Sequence, residues 1–166
     1  MRCAVDVDYR ATGVATACVT FAAWDDAAPT SERVIVSAAP PAAYESGAFY
    51  RRELPYLVAI LEGLAPSQVI VDGHVWLADG QPGLGAHLHA ALGGRAAIVG
   101  IAKRPFAGAT AVPVLRGAGA NPLYVSAVGI DVREAVAGLR AMHGPFRIPT
   151  LLKRVDRLCR DAPLSS

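Results

Sequence analysis

Apolar and polar positions along this chain follow patterns that predict seven strands and four helices. Residues 2–9, 12–24 and 32–38 are rich in β-branched and apolar side chains and are separated by short turns. Three strands joined in this way predict an antiparallel meander. Two continuous apolar runs, 68–72 and 96–102, are typical of strands that are buried in a parallel sheet.

The helices are predicted from apolar residues three and four positions apart, the period of one helix face. The first of them covers residues 50–64. Asp131 is a predicted N-cap, because Glu134 three residues later completes the spacing of a capping box. The other predicted elements are helices at 83–92, 132–142 and 149–161 and short strands at 112–115 and 123–128.

This order of elements predicts an α/β fold. The expected architecture is an RNase H-like mixed sheet, with a three-stranded antiparallel meander plus parallel βαβ strands, flanked by helices. At 166 residues, the chain is expected to form a single domain over 1–166. A fold of this kind hosts many activities, so it does not by itself establish a function.

Composition narrows the class of protein. The chain is 53% hydrophobic and 18% charged, and no apolar run approaches the roughly 20 residues that span a bilayer. The N-terminus enters a strand pattern at once and meets Asp6, so it lacks the apolar region of a signal peptide. We therefore expect a cytoplasmic protein without membrane contact. Cys3, Cys18 and Cys159 show no disulfide or zinc spacing.

Net charge does not indicate a polycation, since the formal charge is only +2. Contact with nucleic acid would have to come from local basic clusters, although each such cluster by itself is more typical of a solvated surface. The clusters are Arg51-Arg52, Lys103-Arg104, and Lys153-Arg154 with Arg157 and Arg160.

Four acidic residues in four distant segments carry the main chemical signal. Three of them lie at or near the start or end of a predicted element, and the fourth lies within the last helix. They are Asp6, Glu53 and Asp72, and Asp156, respectively. Asp72 directly follows the apolar run Val69-Ile70-Val71, at a point where a strand meets its loop. Mg²⁺ prefers such oxygen ligands, together with waters and phosphates. The pattern indicates a metal-dependent nuclease.

Register gives this interpretation a geometric basis. Asp6 and Asp8 are two positions apart and therefore project to the same face of one strand. In adjacent strands Asp6 and Asp72 would lie within a few ångströms of each other, and carboxylates that close need a cation to stay ionised. The alternatives are a solvated strand face for Asp6 and Asp8 and a simple helix-start residue for Glu53.

Basic and imidazole side chains accompany the acids. Lys103 follows a buried strand, at the strand end where sites form in open α/β sheets, and can neutralise a phosphate or a developing charge. A solvated loop lysine is the alternative. His74 follows Asp72 in an Asp-Gly-His turn, whereas His87 and His89 lie in a predicted helix without a zinc pattern.

Six segments in order resemble the motifs of the endonuclease V family, over nearly the whole chain. They are AVDVDYR, YESG with FYRRELPYL, VIVDGH, PGLGAHL, VGIAKRPFAG and FRIPTLLKRVD. The resemblance implies an RNase H-like, Mg²⁺-dependent endonuclease in which Mn²⁺ substitutes for Mg²⁺. Its implied substrate is DNA or RNA containing a deaminated base, inosine, with cleavage on the 3′ side of the lesion.

The same resemblance implies roles for individual residues. Asp6, Glu53 and Asp72 correspond to the three catalytic acids, which also bind the metal, and Asp156 holds a further position near the metal. Lys103 is implied near the scissile phosphate and counts with the catalytic residues. The residues implied to contact nucleic acid are Tyr44, as the wedge that replaces the extruded base, and Gly47, Gly73, His74, Lys103 and Arg104. We expect a monomer.

Departures from the family's motifs fall in the parts that concern the lesion. Val75 stands where the family has a second Gly, and a branched side chain there is expected to narrow or reshape the base pocket. Ala127-Val128-Gly129 replaces the Gly-His that follows the last strand, and the segment 44–47 lacks its Pro. Two alternatives therefore stay open: a nuclease with a different nucleic-acid substrate, and a non-catalytic nucleic-acid-binding module.

Overall fold

One seven-stranded sheet with helices on both faces forms the protein in the computed structural model, which describes residues 1–38 and 49–164. The strands are β1 (Arg2–Arg10), β2 (Gly13–Phe21), β3 (Ser31–Ser37), β4 (Gln68–Val71), β5 (Ala97–Ala102), β6 (Val112–Val114) and β7 (Leu123–Val128). The helices are α1 (Phe49–Leu61), α2 (Leu84–Ala91), α3 (Val132–Ala141) and α4 (Thr150–Asp161). All eleven predicted elements are present; β2 and α1 each end three residues earlier than predicted.

The sheet is mixed, as the sequence predicts. Its strand order is β3-β2-β1-β4-β5-β7-β6. The first three strands form the antiparallel meander, and β1, β4 and β5 run parallel. β7 pairs antiparallel with β5 on one side and with β6 on the other, an arrangement that the sequence pattern did not assign. The predicted α/β architecture is thereby confirmed.

Two apolar layers lie on opposite faces of the sheet. Side chains of α1 and α2, such as Leu57 and Leu88, pack on one face, and those of α3 and α4, such as Leu139 and Val155, pack on the other. Both faces of the inner strands are covered, which explains why the sequences of β4 and β5 are continuously apolar. No helix among the described residues has the length and apolar character needed to cross a bilayer.

Polar contacts hold α4 over the end of β1. The guanidinium of Arg10 donates to the carbonyl oxygens of Cys159 and, at 2.8 Å, Ala162, which belong to the end of this helix. Asp8 pairs with Arg10 at 2.7 Å, so its carboxylate supports the helix contact. At the other edge of the sheet, Arg154 makes two bonds of 2.6 and 2.8 Å to the carboxylate of Glu32.

Candidate active site

Asp6 lies in the middle of β1, level with the end of the parallel strand β4, where Asp72 follows Val71. Val5 in β1 is in register with Val71 in β4, so the next residue of each strand is an aspartate. Gly100 in β5 allows the turn after Asp72, because a Cβ at position 100 would lie 2.5 Å from the carbonyl oxygen of Gly73. The expected adjacency of the two strands is present, and their register places the two carboxylates side by side.

Glu53 approaches these two aspartates from α1. It lies in the second turn of that helix rather than at its start, so the alternative of a simple helix-start glutamate is wrong. With Asp6 and Asp72 it lines a cavity of about 320 Å³ on the α1 face of the sheet. We call this the α1-side cavity. The structure thus brings three of the predicted acids to one place.

Asp156 approaches from the opposite face. It lies in α4 and, together with Asp6 and Asp72, lines a second cavity of about 330 Å³, which we call the α4-side cavity. Its carboxylate also accepts a bond of 3.1 Å from Arg160 one helical turn later. Asp6 and Asp72 therefore separate two cavities, and each cavity brings one further acid to them.

Burial and neighbouring negative charges raise the pKa values of two of the carboxylates. Burial, followed by the negative charges of Asp72 and Asp156, raises the pKa of Asp6 to about 6, although the Val7 amide donates to its carboxylate at 2.9 Å. Burial, followed by the charges of Asp6 and Asp72, raises the pKa of Glu53 to about 8. Perturbed acids at the edge of a cleft are typical of a functional site.

Lys103 supplies a positive charge at this cluster. Its ammonium donates to Asp72 Oδ2 at 2.6 Å. Burial alone would lower the pKa of Lys103, but the bond to Asp72 and the charges of Asp72, Asp6 and Asp156 raise it, so the side chain is a stable cation. The alternative of a solvated loop lysine does not fit this contact.

The predicted nucleic-acid contacts are only partly described. Tyr44 and Gly47 lie outside the described residues. His74 Nε2 lies 3.0 Å from the carbonyl oxygen of Arg104, and its ring packs near Phe106 at 6.2 Å between centroids. These contacts join the Gly73-His74 turn to the loop after β5. The turn and the loop line a cavity of about 330 Å³ together with Asp72 and Lys103.

Val75 does not line either cavity beside the acids, and its expected effect on the base pocket stays a prediction. Val75 is fully buried and packs in the apolar layer on the α1 face, against Gly85. Its backbone N–H donates to Ser126 Oγ at 2.9 Å. Any effect of this residue on base recognition must therefore act through the backbone, whose amide is already bonded.

His87 and His89 have structural roles. The ring of His87 stacks on Tyr50 at 3.5 Å between centroids, and His89 Nδ1 lies 2.9 Å from the carbonyl oxygen of Ala96. Neither contact points to a metal, in agreement with the absence of a zinc pattern from the sequence.

The donors at this sheet edge fit a hard divalent cation. Within residues 1–38 and 49–164 no group of three or more His, Cys, Asp or Glu side chains is already arranged as a closed metal cage. Mg²⁺ does not need such a cage, since it is often held by one or two carboxylates plus waters and substrate phosphates. Asp6 and Asp72 are the residues placed to hold it, with Glu53 and Asp156 on either side, and their mutual repulsion favours a cation.

Burial of Asp6, together with the negative charges of its neighbours, predicts that Asp6→Asn stabilises the metal-free protein. A carboxyl whose folded pKa is raised costs stability as pH rises, so the cost of Asp6 is absent below about pH 4 and complete above its pKa of about 6. In EDTA, the variant is expected to melt at a higher temperature than the wild type at pH 8, and the difference should vanish near pH 4. A lower melting temperature at pH 8 would contradict this description of the cluster.

Arg147 supports the loop that carries Lys103, a role that the sequence analysis did not predict. Its guanidinium donates to the carbonyl oxygens of Lys103 at 2.6 Å and Pro122 at 2.9 Å. Arg116 is buried and in turn bonds the carbonyl oxygens of Met142, Gly144 and Phe146, which fixes the segment before α4. The sequence offered one indication of these contacts: an arginine stands directly before the Ile-Pro pair that leads into the last helix.

Comparison with known proteins gives a family and a set of similar folds. The family model described as endonuclease V matches residues 2–135. A crystal structure of endonuclease V from Streptomyces avermitilis is 29% identical, with a TM-score of 0.74 over 95% of this chain and 78% of that one. No curated protein sequence matches the chain.

Two more distant structures share the fold. The structure of human ENDOV is 22% identical, with a TM-score of 0.77 over 96% of this chain and 82% of that one. Endonuclease V from Ciona intestinalis, in complex with a 24mer DNA containing an inosine followed by a ribo-adenosine, is 15% identical, with a TM-score of 0.79. That alignment covers 96% of this chain and 84% of the Ciona chain.

Proposed function

The chain belongs to the endonuclease V family, and from this membership we propose that it is a divalent-metal-dependent endonuclease that cleaves DNA or RNA on the 3′ side of a deaminated base. The observation that carries the proposal is the meeting of Asp6, Glu53 and Asp72 beside Lys103 at one edge of the sheet. The deaminated base is proposed to be inosine, which the DNA bound to the Ciona protein contains.

Asp6 and Asp72 are proposed to hold Mg²⁺, with Glu53 and Asp156 as nearby acids, and Mn²⁺ is expected to substitute. The chemistry that such an ion supplies when bound is activation of water and neutralisation of charge on phosphate oxygens. A pure binding module gains nothing from acids that face phosphates, so their presence favours catalysis over the non-catalytic alternative.

Lys103 is proposed to act on the phosphate directly. Its ammonium is anchored on Asp72, so it is already positioned when a substrate arrives and needs no reorganisation. An oriented cation of this kind stabilises the charge that develops on phosphoryl oxygens during displacement. Arg104, on the same loop, is proposed to contact the nucleic-acid backbone with Gly73 and His74, and Tyr44 and Gly47 to contact the base region.

A panel of end-labelled oligonucleotides tests this proposal. DNA and RNA strands that differ only in one inosine are incubated with the protein in Mg²⁺, and the products are resolved at single-nucleotide length. We expect a single cut on the 3′ side of inosine in at least one of the two nucleic acids, and no cut in EDTA. Uncut strands under all conditions would reject the nuclease.

A nuclease with a different substrate is the second candidate, and the surroundings of Val75 favour it. The amide of Val75 is bonded to Ser126 Oγ and its side chain is buried, so neither group is free to contact an extruded base. Cutting in Mg²⁺ without any preference for inosine in the same panel would support this candidate.

A further inference from the structure

The α4-side cavity has a composition that the three catalytic acids do not explain. Its floor is apolar and formed by side chains of the sheet and of the segment that leads into α4, among them Ile101, Leu123, Ile148 and Leu152. At about 330 Å³ it is at the lower end of the size range of small-ligand sites, roughly 300 to 1,000 Å³. A metal and its waters need neither this apolar floor nor this volume.

Acids and bases line the cavity in equal number. Lys103, Lys153 and Arg160 line it together with Asp6, Asp72 and Asp156. Lys103 pairs with Asp72, and Arg160 pairs with Asp156. Lys153 and Arg160 lie on the exposed side of α4, so an apolar floor with exposed cations beside it is complementary to a nucleotide, in which an apolar base face and an anionic phosphate lie at opposite ends.

An exposed aromatic ring extends this surface. Phe146 precedes α4 and is 62% exposed, which is unusual for a ring of its size. Lys153 Nζ, at the mouth of the cavity, lies 4.7 Å from the centroid of the ring. Aromatic rings beside basic residues are the platforms on which proteins stack the bases of single strands.

We propose that the α4-side cavity and Phe146 form a nucleotide subsite for an unpaired nucleotide of the substrate strand next to the bond that is cut. Its base contacts Ile148, Leu152 and the ring of Phe146, and its phosphates contact Lys153 and Arg160. The subsite lies on the α4 face and, among the described residues, shares only Asp72 and Lys103 with the cavity beside Phe106 and His74. The proposal rests on the proposed function, because the nucleotide bound in the subsite belongs to the strand that the acids would cut.

Binding measured without cleavage tests the subsite. Wild-type protein and Phe146→Ala are titrated, in EDTA, into a fluorescent single-stranded DNA that contains one inosine, followed by anisotropy. Losing one stacked base is expected to weaken binding about tenfold. Val58→Ala is the control, since Val58 is an exposed apolar residue on α1, which packs on the opposite face of the sheet from the α4-side cavity. It should bind as the wild type does.

A series of DNA strands with a single abasic position locates the nucleotide. In the wild type, one position near the cut should weaken binding when its base is removed, and the same removal should have no further effect in Phe146→Ala. Equal affinity of the wild type and Phe146→Ala for the DNA would overturn the proposal. So would losses of affinity from Phe146→Ala and from base removal that add up at every abasic position.

Cleavage of the same strand in Mg²⁺ separates this inference from the proposed function. If the wild type cuts and Phe146→Ala binds and cuts equally well, the subsite is wrong and the nuclease stands. If the wild type neither binds nor cuts any strand, both fall. Leu152→Trp, which fills the cavity, is the second variant and is expected to reduce binding in the same way while the circular dichroism spectrum stays unchanged.

Discussion

Asp72→Asn is expected to lower the rate of cleavage by about 1,000-fold or more, because a lost metal ligand removes several kcal/mol of transition-state stabilisation and each 1.4 kcal/mol is about tenfold. Asp72 also anchors Lys103, so the variant loses the orientation of that ammonium as well. The measurement is the single-turnover rate on an inosine-containing strand in Mg²⁺.

The fold of this variant should be intact. The Asp72 side chain is 41% exposed and the substitution keeps its shape, so the melting temperature in EDTA is expected to stay close to that of the wild type. Asp161→Asn is the matched control, because it makes the same chemical change at an exposed residue at the end of α4. Full activity of Asp72→Asn would contradict the proposed role of the cluster.

Lys103→Ala is expected to lower the cleavage rate by about 100- to 1,000-fold, the typical cost of removing one preorganised group that stabilises developing charge. Unlike Asp72→Asn, it leaves all four carboxylates in place and should bind divalent metal at least as well as the wild type. Rate and Mn²⁺ affinity are therefore measured on the same preparation.

Arg95→Ala is the control for this loss of positive charge, since Arg95 is exposed and lies in the groove between the ends of α1 and α2. If Lys103→Ala cleaves at the wild-type rate, Lys103 has only a structural role as the partner of Asp72. Loss of Mn²⁺ affinity together with rate would instead indicate that the ammonium holds the acids in place.

Local patterns in the sequence were sufficient to predict the architecture. The apolar runs of β4 and β5 are continuous because helices cover both faces of the sheet, and the meander follows from short turns between β-branched segments. Asp6 then lies beside Asp72, since Val5 of β1 pairs with Val71 at the end of the parallel strand β4 and each is followed by an aspartate. These predictions needed only periodicity and one assumption about strand order.

Side-chain orientation in loops could not be predicted in this way. Val75 follows a Gly-His turn whose path depends on Gly100 in a different strand, so its burial was not readable from the local sequence. Asp8 shares a strand face with Asp6, yet it pairs with Arg10, which in turn binds the end of α4. The division of the acids between two cavities likewise depends on how α1 and α4 pack on opposite faces.

Binding of Mn²⁺ in the absence of nucleic acid tests the central claim, that the carboxylates of β1 and β4 form a metal centre. Free Mn²⁺ is followed by electron paramagnetic resonance as it is titrated into the wild type and into Asp72→Asn. We expect saturable binding to the wild type that weakens by more than about tenfold in the variant. A wild type that does not bind Mn²⁺, or a variant that binds it equally well, would contradict the claim.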